Sequence, residues 1–154
     1  MRKAPAMLGV LAAALVLGFT LPGAAIAKGP KPPVIKSVKF RGTSAEPFVV
    51  VKGRGLGSIP AAEPDPNCFS EEPGGLGNDF GSAFAFADNT KGWQAGAGPG
   101  DCIGVIFHTY TETEVTFTFG STYHDTAEYG PLEKGDEYGI QVGSLSKTGI
   151  IKIK

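Results

Sequence analysis

This chain of 154 residues predicts an all-β sandwich of about seven strands behind a removable leader. Three observations carry that expectation. Runs with two-residue hydrophobic alternation recur after residue 33, clusters of Gly, Pro, Asn and Asp separate them, and no stretch past residue 27 sustains a helical period.

The leader comes first. Arg2 and Lys3 form a short positive region, and Met7 to Leu21 is apolar apart from small residues and Thr20. Pro22-Gly23 then breaks any helix, and Ala25-Ile26-Ala27 places small residues where a signal peptidase reads them. Residues 1–27 therefore read as a signal peptide cleaved after Ala27, and the mature chain is expected to be secreted and soluble. The apolar run is shorter than the roughly 20 residues needed to cross the hydrocarbon core, so stable membrane insertion is not expected. Beyond residue 27 there are 12 Lys and Arg against 15 Asp and Glu, a net charge of −3, in a length sufficient for one core. A mildly acidic chain without a block of Lys or Arg has no reason to seek nucleic acid.

Each element can be justified in order. "KGPKPP", residues 28–33, is a stiff proline-rich lead-in to a domain spanning 34–154. "VIKSVKF" places Val34, Val38 and Phe40 among polar neighbours, and "FVVVKG" is a short continuous apolar run. "SAFAFAD" alternates Phe84 and Phe86 with alanines. "CIGVIFHTY" and "EVTFTF" flank Thr111-Glu112-Thr113 as a hairpin, with Val115, Phe117 and Phe119 on one face. "DEYGIQV" aligns Tyr138, Ile140 and Val142, and "GIIKIK" at 149–154 closes the chain as the last strand.

Two long connections, Arg54–Asp79 and Asn89–Asp101, interrupt this pattern. The first opens on "KGRGLGS", which tests for a nucleotide loop and fails. Ser58 stands where a third glycine belongs, and Pro60, Pro64 and Pro66 prevent a helix from starting there. Positive backbone angles or close packing at a strand end explain these glycines better. Cys68 and Cys102 are the only cysteines, and in an exported domain an even pair is expected to form one disulfide. That bridge would bring the two connections to the same end of the sandwich.

"PVIKSVKFRGTSAEPFVVVKGRGLGSIP", Pro33 to Pro60, resembles the start of IPT/TIG domains. In these modules a Pro-hydrophobic strand leads to a second strand ending in a Gly-x-Gly-Phe-Gly-like turn. Gly53, Gly55 and Gly57 fit that turn, with Leu56 where an aromatic is usual. "GWQAG", the 101–120 hairpin and "YGPLEKGDEYGIQV" are similar to later strands of secreted bacterial members. The resemblance implies an immunoglobulin-like β-sandwich. It implies no shared catalytic residues and no cofactor.

The function expected on these grounds is that of a secreted, non-catalytic module binding an extracellular protein or glycan. The alternatives are a small extracellular hydrolase, a calcium-dependent enzyme or a structural envelope protein. "STYHD", Ser121 to Asp125, gathers triad residue types, but a working triad is assembled from separate elements. His108 lies within a strand, where a surface or half-buried histidine is the ordinary outcome. Asp79, Asp88 and Asp101 are weak calcium candidates, for which turn capping is the simpler role, so no metal is expected. The binding candidates are Phe69, Glu71, Glu72 and Trp93 in the long connections, with a core position the preferred reading of Trp93.

Overall fold

The computed structural model describes residues 29–63, 77–97, 103–124 and 130–153. The chain divides into two units, Met1–Pro30 and Lys31–Lys154. All of the first but Gly29 and Pro30 lies outside the described residues, including the expected signal peptide. Among the described residues no helix is long and apolar enough to cross a membrane.

The second unit is all-β. Its strands are β1 (Val34–Gly42), β2 (Pro47–Arg54), β3 (Phe84–Asp88), β4 (Trp93–Ala95), β5 (Val105–Tyr110), β6 (Glu114–Phe119), β7 (Glu137–Val142) and β8 (Leu145–Ile150). They form two antiparallel four-stranded sheets, one in the order β1-β2-β6-β5 and the other β4-β3-β7-β8. Single 3-10 turns at Gly81–Ala83 and Ser121–Tyr123 are the only helical segments described.

Two details differ from the sequence reading. Trp93–Ala95 is a strand inside what reads as one glycine-rich connection, too short to display a period. The last strand is Leu145–Ile150 rather than 149–154, because the two-residue turn Gly143-Ser144 pairs Val142 with Leu145 and sets the register through Glu137↔Ile150. The apolar Ile151 and Ile153, which made 149–154 resemble a strand, join the core beyond its end, 0% and 4% exposed.

Alternation explains what each strand buries. In β3, Phe84 and Phe86 point inward between half-buried alanines. The continuous run in β2 is buried on both faces, with Val49 and Val51 in the core and Val50 covered on the opposite side. Aromatic rings join the sheets edge-on. Phe84 meets Phe107 at 4.8 Å and Phe117 at 5.1 Å between ring centroids, and Phe40 meets Tyr138 at 5.2 Å.

Candidate functional site

The described far flank of the first long connection is hydrogen-bonded to the second. The first leaves β2 against the β5–β6 turn, where Leu56 N–H donates to Glu112 O at 3.1 Å. Its glycines are conformational and steric. Gly55 and Gly57 have φ of +64° and +84°, and a Cβ on Gly53 would lie 2.4 Å from Val34 O. The arginine between them donates from Nε to Pro32 O at 3.0 Å, which ties down the proline-rich lead-in. The far end of this connection returns beside the second one. Asn78 exchanges backbone hydrogen bonds with Val105 at 3.0 and 2.9 Å, Phe80 N–H donates to Gly96 O at 2.8 Å, and Gly96 N–H to Ile103 O at 3.0 Å. Cys68, Phe69, Glu71, Glu72, Asp101 and Cys102, on which the expected bridge and most of the binding candidates fall, lie outside the described residues.

Trp93 belongs to the opposite end of β4 and to the core. It is 2% exposed, and its indole packs near Phe86, Phe119 and Tyr123 at centroid distances of 6.0, 5.6 and 5.7 Å. Beside it is the most polar part of the interior. Asp88 continues the inward face of Phe84 and Phe86 and is fully buried. Its Oδ1 accepts from the N–H groups of Thr90 at 3.0 Å and Lys91 at 2.9 Å, the turn-capping role expected of it. Its Oδ2 and the Trp93 Nε1 are buried without a hydrogen-bond partner.

The next carboxylate is that of Asp136, which immediately precedes β7, two positions before Tyr138. Strand pairing sets Asp88 opposite Tyr138 and therefore diagonal to Asp136. Burial, then the neighbouring Asp136 carboxylate, pushes the Asp88 carboxyl above its ordinary value, against the two backbone N–H groups that lower it. The Lys91 ammonium closes the cluster, 3.0 Å from Glu133 Oε1 and 3.6 Å from Asp136 Oδ2, and also donates to Pro131 O. Tyr123 anchors the same region. Its Oη donates to Ser44 O at 2.7 Å and accepts from Leu132 N–H at 2.8 Å. Burial first, then the nearby Asp88 and Asp136, push its phenol up to about 12.

The contacts of the two histidines are with other groups. His108 sits at a bulge in β5, with Nε2 2.9 Å from Thr118 Oγ1 and its ring 5.3 Å from that of Phe48. His124 donates its backbone N–H to Ser121 O at 3.1 Å, while Asp125 lies outside the described residues. Asp79 is 8% exposed, and its carbonyl accepts from Glu63 N–H at 2.7 Å. Among the described residues, no three His, Cys, Asp or Glu side chains are grouped so that they could hold a metal ion.

The Asp88–Asp136 pair is the feature that sequence reading missed. The signal was present, because two-residue periodicity in "FAFAD" and "DEYGIQV" carries both aspartates onto the apolar faces. No protein family, curated protein or solved structure matches the chain.

Proposed function

We propose that this chain is an exported, non-catalytic binding module with an immunoglobulin-like sandwich of the IPT/TIG kind, engaging a protein or glycan at the cell surface or outside the cell. The observation that carries the reading is the strand order. Lettered along the chain with β4 as an extra C′ strand, β1-β2-β6-β5 is A-B-E-D and β4-β3-β7-β8 is C′-C-F-G, the immunoglobulin-like partition of strands between sheets. The described flanks of its two long connections hydrogen-bond to one another, and scaffolds of this kind carry binding residues on such loops. The leader at residues 1–27 supports export, and a Cys68–Cys102 disulfide would clamp the two connections together.

The binding surface is assigned to Phe69, Glu71 and Glu72 on the acidic connection. Replacing Phe69 with serine and, separately, Glu71 and Glu72 with lysine tests it while leaving both cysteines in place. Binding to whole cells of the native culture, and to their extracted polysaccharide, should fall in both variants while the melting temperature holds. Undiminished binding in both would move the site off these connections.

A further inference from the structure

We propose that the free edges of β1 and β8 form a second docking site, a groove that takes an extended acidic polypeptide segment. Charge in this chain is segregated along its length. Beyond residue 27, eight of the 12 Lys and Arg residues fall in 28–42 and 143–154, two stretches with no Asp or Glu, and all 15 acidic residues lie between them. The fold brings these two stretches together. β1 and β8 are outer strands of different sheets and lie side by side.

Between them runs an open groove of about 560 Å³, walled by Val38, Lys39 and Phe40 on one side and Lys147 to Ile150 with Lys152 on the other, with Tyr138 at its floor. No carboxylate lines it. Lys39 and Lys152 are exposed, Lys147 is half-buried, and among the described residues none of the three is in an ion pair. Gly149 keeps the floor open to the tyrosine, since a Cβ there would lie 2.8 Å from Tyr138 Oη. Three unpaired ammonium groups facing no acid make a local field that attracts anions.

The occupant is a peptide rather than a sugar because of what the walls offer. Tyr138 is only 4% exposed, and Phe40 is half-buried and packs edge-on against Phe86 and Tyr138 at 6.1 and 5.2 Å, a poorer platform for a pyranose than a fully exposed ring. The rims are instead strand edges, whose outward N–H and C=O groups pair naturally with another extended chain. Edge lysines keep copies of this chain from pairing with one another. Carboxylates on an incoming strand turn that repulsion into attraction, which makes the same lysines a selector of partner.

The test uses the full mature protein and a fluorescein-labelled (Glu-Thr)5 peptide, followed by polarisation. Saturable binding is expected, weakening about tenfold or more when salt rises from about 0.02 to 0.2 M, with no binding of (Lys-Thr)5. The pair Lys39→Glu and Lys152→Glu, both at exposed positions, should lower affinity about tenfold without shifting the melting temperature. Lys147→Met, which keeps the apolar stem, should weaken binding in the same direction. Amide exchange in Val34–Gly42 or Leu145–Ile150 should slow in the complex. Absence of peptide binding, indifference to the lysine substitutions, or binding of polygalacturonate in place of the peptide would each overturn the proposal.

Discussion

At the scale of single residues, Asp88 is a carboxyl held in the core with one oxygen unsatisfied. It is fully buried, its Oδ1 is satisfied by two backbone donors, and its Oδ2 has no donor. The charged and titratable groups around it are Asp136 and Glu133 from the segment leading into β7, Lys91 from its own turn, and Tyr123. Its carboxyl is raised in the folded state, so the native protein holds this proton more tightly than the unfolded chain does. The resulting stabilisation is fully present below the ordinary value of 3.8 and is lost as pH climbs through the raised one. Asp88→Asn keeps the Oδ1 acceptor and adds an N–H that can face Asp136. The difference in melting temperature, variant minus parent, should therefore move in the variant's favour between about pH 4 and pH 7. A flat difference across that range would rule out a raised carboxyl at this position.

At the scale of elements, the end of β2 shows how little room the packing leaves. Gly53 faces Ile35 in the β1 register, and a Cβ there would lie 2.4 Å from Val34 O and 2.6 Å from Leu56 Cδ2. Gly57, four residues on, has nothing within 4 Å of its notional Cβ but holds φ at +84°. The two glycines are thus required for different reasons, one steric and one conformational. Gly53→Ala should cost about 1–3 kcal/mol by forcing β1 and Leu56 apart, and Gly57→Ala about 1 kcal/mol from its left-handed backbone. Urea unfolding of both variants measures this, with the slope expected to stay unchanged. Equal losses at the two positions would show that β1 yields to the added methyl. The β5 bulge near His108 is a comparable local device. It shifts the pairing with β6 between Phe107 and Thr109, and Phe107 sits against Phe80, Phe84 and Phe117.

At the scale of the whole molecule, two four-stranded sheets close on one aromatic core, to which the long connections contribute Leu56, Trp93 and Ala95. The hydrogen bonds of Asn78 with Val105 and of Phe80 with Gly96 already align the described flanks of those connections. A Cys68–Cys102 bridge would act on top of this alignment, mainly by restricting the unfolded chain. Protein purified from its native culture should show no free thiol when titrated in denaturant without reductant, and reduction should lower its stability by about 3–4 kcal/mol on the chain-entropy account. Two titratable thiols would dismiss the bridge.

Much of this architecture was legible before folding, because side-chain alternation is a local property of a strand. Phe84 and Phe86, the Val115–Phe119 face and the Tyr138–Val142 face could be read directly, and the glycines at 53–57 could be told from a nucleotide loop by the prolines that follow. A three-residue strand carries no period, so β4 emerged only when β3 paired with it. The last strand was displaced because a turn, and not the apolar pattern of 149–154, sets the hairpin register. For Trp93 the sequence favours the core over the rim, and burial against Phe119 and Tyr123 agrees. The Asp88–Asp136 pair and the lysine groove depend on partners 48 and about 110 residues apart in the chain. Alternation determined which way those side chains point. Only strand pairing across the sheets, driven by closure of the apolar core, decided what they meet.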